Sequence, residues 1–313
     1  MLKERGLQHV LEAQQFSRGW LVEEFFSETR SMVKVVEARD SSLLVGRSVC
    51  ILFYEPSTRT RISFEQATTK LGATFSSTEN AKEFSSAIKG ESIEDTILVA
   101  NALGFDAVVL RYHEEGGAAK AKSVSAIPII NAGDGTGQHP TQALLDLYTI
   151  SRHFDKIDGL RVALVGDLRN GRTARSLAYL LGKFEGITID LVASDDFQIK
   201  PDILDYLTRH NVVFRQHADI LACAGEIDIV YLTRAQKERM EGRTTNNHAR
   251  VAIDEEVLAK LSKDSIIMHP LPRSDDFGEL PEKFTNDTRV VIFEQVENGL
   301  YTRMALLNML LGK

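Results

Sequence analysis

The 313-residue sequence has only two cysteines, Cys50 and Cys223, each set in an apolar stretch and far from the other. That scarcity argues against a disulfide framework or a cysteine-built metal centre and favours two buried, reduced thiols. No apolar run approaches the ~20 residues that a membrane span requires, so no membrane partner is expected. The opening residues, Met1-Leu2-Lys3-Glu4-Arg5, carry both charge signs and lead into no apolar signal core, which reads as a cytoplasmic start. Basic residues are outnumbered, 37 Lys and Arg against 44 Asp and Glu, for a net charge of −7. With no local basic stripe, nucleic acid is not an expected partner. The eight histidines show no metal-ligand spacing, so neither a metal nor a cofactor is expected. Low-complexity segments, long linkers and short-period repeats are also missing. What remains is a globular composition, 43% hydrophobic and 26% charged, on a chain long enough for two domains.

Short apolar runs alternate with amphipathic segments. Cys50–Tyr54, Ala107–Leu110 and Pro128–Ile130 read as strands of a first set. Arg161–Val165, Ile187–Val192, Ile227–Leu232 and Ser265–Met268 read as strands of a second. This alternation predicts an α/β protein of two doubly wound parallel-sheet domains with helices on both sheet faces. The turn-forming stretch Asn131–Gly137 is followed by a helical segment from Thr141 to Tyr148, expected to bridge the two domains. A terminal helix over Gly299–Leu311 places Met304, Leu307 and Leu311 at helical spacing. The expected division is residues 1–140 with 299–313, and residues 141–298.

The most informative segment is Glu55-Pro56-Ser57-Thr58-Arg59-Thr60-Arg61, between a buried strand and a helix whose inner face is marked by Phe64, Ala67 and Leu71. A helix start offers backbone N–H groups and the positive end of a dipole to an anion. Ser57, Thr58 and Thr60 add hydroxyls, and Arg59 adds a planar fork suited to two phosphate oxygens. A plain helix cap with solvated arginines is the bland alternative. These residues by themselves give a phosphate or carboxylate site and no more.

Other constellations are weaker one by one. Ser85 and Lys89 lie in Phe84–Glu91, which alone reads as a surface turn. Arg111 stands at a strand's carboxyl end, where parallel sheets bind ligands. His139-Pro140-Thr141-Gln142 opens the bridging helix, placing His139 and Gln142 three apart. Gly166-Asp167-Leu168-Arg169-Asn170-Gly171-Arg172-Thr173 has the spacing of a nucleotide P-loop, with arginine where lysine belongs and no second acidic strand for magnesium. Arg234 and Gln236 point the same way if the chain there is extended, an arrangement suited to a dicarboxylate. In Met268-His269-Pro270-Leu271-Pro272-Arg273, two prolines restrict the backbone and could present the carbonyl of Leu271 to a ligand.

Taken in order, these motifs resemble those of the aspartate/ornithine carbamoyltransferase family over nearly the whole chain. The run Phe53–Arg61 matches the family's carbamoyl phosphate signature without a gap. The resemblance implies that Ser57, Arg59, Thr60 and the backbone at Thr58 grip the phosphate, and that Arg111 touches carbamoyl phosphate. It implies that Thr60 and His139 reach the carbonyl oxygen. Gln142 and the backbone oxygens at Leu271 and Pro272 would hold the carbamoyl amino group. It makes Arg172, Arg234 and Gln236 the half-site for L-aspartate. It makes Ser85 and Lys89 donors to substrate on an adjacent chain, hence a homotrimer with shared sites. Regulatory chains as partners are compatible with the same resemblance, and early pyrimidine biosynthesis would be the setting. The ornithine-specific branch usually has cysteine where Pro270 stands and carries a Ser-Met-Gly loop, neither of which occurs here. Ser274-Asp275-Asp276-Phe277 departs from the family's hydrophobic-acidic-acidic-Ile pattern.

The implied reaction is attack of a neutral amine on the carbonyl carbon of carbamoyl phosphate, an oxyanion, and departure of phosphate. A candidate set rich in cations and poor in carboxylates suits chemistry limited by charge and alignment. Three other readings stand beside it: an ornithine-type carbamoyltransferase, a P-loop nucleotide-binding protein, and a non-catalytic anion-sensing subunit.

Overall fold

The structure is a computed structural model that describes residues 7–39, 42–84, 89–234, 250–273 and 278–312. Two compact units divide it, Met1–Leu145 with Glu297–Lys313, and Asp146–Val296. In the first unit the strands are β1 (Ser48–Phe53), β2 (Thr74–Thr78), β3 (Ala107–Tyr112) and β4 (Ile129–Asp134). The helices are α1 (Phe26–Ala38), α2 (Thr58–Lys70), α3 (Ala81–Phe84), α4 (Ile93–Ala102) and α5 (Gly117–Val124). Helix α6 (Pro140–His153) carries the chain into the second unit. There β5 (Arg161–Gly166), β6 (Thr188–Val192), β7 (Val213–His217), β8 (Ile229–Thr233) and β9 (Ile266–Met268) alternate with α7 (Arg172–Leu181), α8 (Pro201–Arg209) and α9 (Glu255–Lys260). Helix α10 (Ile292–Leu311) returns the chain to the first unit.

Among the described residues every strand pairing is parallel, in the orders β2-β1-β3-β4 and β7-β6-β5-β8-β9. Both orders reverse once, between β1 and β3 and between β5 and β8. These are the switch points at which loops diverge and leave a crevice at the strands' carboxyl ends. The apolar runs are continuous because both sheet faces are covered. On β1, Cys50 joins Ile93, Ile97, Val108 and Ala121 in one core, while Val49, Ile51 and Phe53 are fully buried on the opposite face. In the second unit Ala163, Val165, Val230 and Leu232 pack with Val257 and Leu261, and Val162, Leu164, Ile229 and Tyr231 are fully buried on the other side.

The inner-face expectation for α2 holds, since Phe64, Ala67 and Leu71 are all fully buried. Met304, Leu307 and Leu311 of α10 are buried too, and within the first unit Arg303 donates to Ser63 Oγ at 2.9 Å. The helix begins at Ile292, seven residues before the sequence expectation. The stretch 131–137 also differs from expectation, because Asn131–Asp134 extend β4 and the turn starts only at Gly135. Asn131 makes this workable inside the sheet. Its amide donates to Leu11 O at 2.9 Å and its Oδ1 accepts from Gly133 N at 2.8 Å. Two strands, β2 and β7, had no counterpart in the sequence reading, and both lie at sheet edges.

Both cysteines are free and buried, as their apolar settings predict. Burial pushes the Cys50 thiol up to about 11 and the Cys223 thiol up to about 12. Their folded values exceed the unfolded ones. The stability they contribute is therefore fully present below about pH 9 and lost as pH rises through about 11 for Cys50 and about 12 for Cys223. At pH 8 both thiols should resist alkylation in the native protein and react fully in denaturant. Rapid labelling of the native protein would contradict this burial.

Candidate functional site

Loop β1–α2 carries the first group of candidate residues. Ser57 stands at the N-cap of α2, yet its hydroxyl makes no capping bond, which removes the plain-cap reading for this residue. The first turn of α2 contains Thr58, Arg59 and Thr60 and no acidic residue. Two arginines, Arg59 and Arg61, thus sit at the positive end of a helix dipole, where cations are disfavoured by about 0.3–1 kcal/mol each. Arg61 has protein partners for its charge, Glu65 at 2.5 Å and Glu79 at 3.2 Å. Arg59 is exposed at the loop, and Thr60 is buried.

Strand register brings further candidates to this edge. Phe53 pairs with Arg111, and Tyr112 with Asp134, so the segments leaving β1, β3 and β4 start side by side. Arg111 lies one residue inside the end of β3. Its guanidinium is held by Glu55 Oε2 at 3.0 Å and by Ala132 O at 3.3 Å, with 11% of the side chain exposed. The β4–α6 loop is fastened by Asp134, whose carboxylate accepts from Gln138 N at 2.7 Å and Gly116 N at 3.2 Å. Gly135 has φ +48, and a Cβ there would lie 2.8 Å from Glu115 N. Held in this way, the loop delivers His139 and Gln142, both buried, to the start of α6. The His139 carbonyl accepts from Gln142 N at 3.0 Å, and Thr141 Oγ1 lies 3.4 Å from its Nδ1. Lys89 is exposed, and among the described residues no hydrogen bond or ion pair ties it to this loop. Ser85 lies outside the described residues.

In the second unit, Gly166 and Thr233 pair at the β5/β8 switch point. Gly166 has φ +113, and a Cβ on it would stand 2.1 Å from Thr233 O. Only glycine permits that approach. The loop from Asp167 to Gly171 then folds on itself. Leu168 N and Arg169 N both donate to Phe197 O at 3.0 Å, Asn170 N donates to Asp167 Oδ1 at 2.9 Å, and Arg172 N donates to Asn170 O at 3.0 Å. A phosphate-cradling loop must aim such N–H groups at its ligand. Here four of them have protein acceptors, which removes the P-loop reading. Arg172 is the first residue of α7, a helix with no acidic residue in its first turn, and it is 7% exposed. Arg234 follows β8 at the adjoining strand end and is half-buried. Gln236 lies outside the described residues, as does the departing segment 274–277. After β9, Leu271 has φ +58, and Leu271–Pro272 is cis.

Each unit thus presents arginines at a switch point, one of them heading a helix whose first turn holds no carboxylate. A cavity of ≈ 670 Å³ opens elsewhere in the first unit, lined by His9, Glu12, Glu115 and Gln138 among others, and no candidate residue lines it. The sequence reading missed Glu55 as the partner of Arg111, Asp167 as the organiser of its loop, and the hydrogen bonds of His269. Glu55 and His269 lay inside motifs already singled out, which was the available signal.

Two parallel sheets, each with arginine in the first turn of a helix that follows its switch point, define an α/β enzyme class that handles small anions. Comparison with known proteins gives the class its family. The carbamoyl-P binding domain of aspartate/ornithine carbamoyltransferase matches residues 8–152, and the Asp/Orn binding domain matches residues 158–310. The chain belongs to the aspartate/ornithine carbamoyltransferase family. It is 47% identical to the chloroplastic aspartate carbamoyltransferase of Arabidopsis thaliana, covering 99% of this chain and 79% of that one. It is 39% identical to the aspartate carbamoyltransferase catalytic subunit of Methanocella arvoryzae, covering 97% of each. The aspartate transcarbamoylase of Trypanosoma cruzi in complex with carbamoyl phosphate and aspartate superposes with a TM-score of 0.91 at 34% identity, covering 97% of each chain.

Proposed function

We propose that this chain transfers the carbamoyl group of carbamoyl phosphate to the amine of L-aspartate, giving N-carbamoyl-L-aspartate and phosphate, an early step of pyrimidine biosynthesis. The observation that carries this reading is the pair of cation-rich switch points, one in each unit, within a chain of this family. Residues 1–140 with 299–313 take carbamoyl phosphate, and residues 141–298 take aspartate. Ser57, Arg59, Thr60, Arg111 and the backbone at Thr58 bind the phosphate. Thr60 and His139 donate to the carbonyl oxygen. Gln142 and the backbone carbonyls of Leu271 and Pro272 receive the carbamoyl amino group. Arg172, Arg234 and Gln236 bind the two carboxylates of aspartate.

The aspartate amine attacks the carbonyl carbon as a neutral nucleophile. The C–N bond forms, the oxyanion is stabilised by donors already in place, and the C–O bond to phosphate breaks. A phosphate oxygen accepts the amine proton, so no protein base is required. Holding two anions on fixed donors supplies proximity, and this is the main source of acceleration.

Ser85 and Lys89 serve the site of a neighbouring copy in a homotrimer. Support comes from the first unit's surface, where Leu43, Val45, Ile62, Phe75, Leu98, Val99 and Leu103 are large apolar residues exposed in the single chain. Regulatory chains are further partners compatible with this assembly. No described helix is long and apolar enough to cross a membrane. The two free thiols suit a reducing compartment, which we assign to the cytoplasm.

Product analysis with carbamoyl phosphate and either aspartate or ornithine tests the reaction. N-carbamoyl-aspartate with matching phosphate release is expected, and citrulline would overturn the roles of Arg172, Arg234 and Gln236. Arg234→Ala should raise the KM for aspartate by about 30-fold or more and lower turnover, as loss of a charge-assisted carboxylate contact requires. Unchanged aspartate kinetics would remove Arg234 from the site.

A further inference from the structure

The segment after β9 holds a main-chain conformation that a leucine does not adopt unaided. Leu271 has φ +58, in the left-handed region that is unfavourable for a residue with a Cβ. Its N–H donates to Nδ1 of His269 at 2.8 Å. Because Nδ1 accepts, the ring proton resides on Nε2, which donates to Glu279 Oε1 at 3.2 Å. Both side chains are buried, His269 at 1% and Glu279 at 2% exposure. The main chain of His269 is fixed as well, its N–H donating to Gln295 Oε1 at 3.0 Å. Gln295 Nε2 in turn donates to Asp146 Oδ1 at 2.6 Å, and Tyr231 OH donates to Asp146 Oδ2 at 2.7 Å. The imidazole therefore links the buried Glu279 carboxylate to one particular backbone amide, two residues along its own chain, while the Gln295–Asp146–Tyr231 network holds the backbone of His269 itself.

We propose that His269, oriented by Glu279, is a positioning residue that sets the Leu271 carbonyl for the carbamoyl amino group. The inference rests on the reading above, in which that carbonyl binds substrate. The hydrogen bond fixes the plane of the Pro270–Leu271 peptide, the left-handed φ sets how the Leu271 carbonyl carbon leaves that plane, and the following proline restricts the ψ rotation that remains. Glu279 enforces the tautomer. With the carboxylate accepting from Nε2–H, Nδ1 stays an acceptor for Leu271 N–H. A histidine that only filled the core would require no acceptor at Nδ1.

Asparagine and glutamine separate the two roles. An asparagine side chain reaches the place of Nδ1, and a glutamine side chain reaches the place of Nε2. Three variants, E279Q, H269N/E279Q and H269Q/E279Q, avoid leaving a buried carboxylate without its donor. E279Q should keep the carbamoyl phosphate KM within about threefold of wild type, since its amide oxygen still accepts from Nε2–H. H269Q/E279Q should raise that KM by about tenfold, with H269N/E279Q restoring most of the loss at a similar Tm. Equal carbamoyl phosphate KM values in the two double variants, with wild-type turnover intact, would overturn the inference. Absence of carbamoyl transfer by the wild type would instead overturn the functional reading beneath it. If the double variants do not fold, 15N chemical shifts of the His269 ring in the wild type decide the matter. A protonated Nε2 and bare Nδ1 are expected, and a protonated Nδ1 would refute the arrangement.

Discussion

Arg111→Leu should lower kcat/KM for carbamoyl phosphate by about 10³-fold while leaving the protein folded. The guanidinium stands at the β1/β3 switch point, beside the loop that opens α2. Two charge-assisted hydrogen bonds to a phosphate contribute about 1.5–3 kcal/mol each, and 1.4 kcal/mol is a factor of ten. Leucine fills the stem's volume but offers no donor. It also removes the positive charge that now lies 3.0 Å from Glu55, which makes the surroundings of the phosphate loop more negative. The Glu55 charge then repels the substrate, so the double variant E55Q/R111L should recover part of the lost affinity. Steady-state kinetics with carbamoyl phosphate varied at saturating aspartate measures both effects. If Arg111→Leu changes kcat/KM less than tenfold, the arginine belongs to the sheet edge and not to the site.

Gly166→Ala should destabilise the protein by about 3–5 kcal/mol, the sum of a left-handed backbone penalty and severe overpacking. The added Cβ would stand 2.1 Å from Thr233 O and 2.8 Å from Thr233 Oγ1, at φ +113. Neither side can yield easily. Thr233 is buried and its hydroxyl already donates to Val165 O at 3.1 Å, tying β8 back to β5. Forcing the strands apart would separate the segments that carry Arg172 and Arg234. Any folded fraction should accordingly show a raised aspartate KM with carbamoyl phosphate binding retained. Urea unfolding of both proteins gives the stability difference, and a shift below about 1 kcal/mol would mean that the backbones do not meet there.

The parallel architecture was legible wherever a strand is buried on both faces. Cys50, Ile51 and Phe53, or Val162 to Val165, form apolar runs because neither side of the sheet meets water. The same logic explains the two strands that were missed. Thr74-Phe75-Ser76-Ser77-Thr78 is almost wholly exposed, and Val213 and its neighbours are largely so. On these two edge strands, unlike the buried edge strands β4 and β9, the side chains face solvent, so hydrophobic pattern carries little signal. Positions 131–134 were misplaced for the converse reason. Turn-forming residues can sit inside a sheet when a side chain such as Asn131 supplies local bonds, and propensity does not register that.

The site followed the same division. Cationic residues beside helix starts could be recognised from type and order, since their chemistry is carried by the side chain itself. Partnerships could not. Glu55 with Arg111 and His269 with Glu279 depend on strand register and on a main-chain reversal, and no spacing along the chain encodes them. The loop after β5 shows how spacing can mislead. Its glycines fit the pattern of a nucleotide cradle, but Asp167 turns the backbone inward and its N–H groups are taken.

That inward turn bears on life among competing metabolites. A cell is crowded with triphosphates, whose charge would draw them to any loop of open amides. In the loop after β5 four backbone N–H groups are already taken, and attraction for anions is left to the side chains of Arg172 and Arg234. Such a surface suits small carboxylates better than a chain of phosphates. Its discrimination comes from what the main chain declines to offer, and three of the four N–H groups are held by backbone carbonyls, so it would persist through changes to the surrounding side chains.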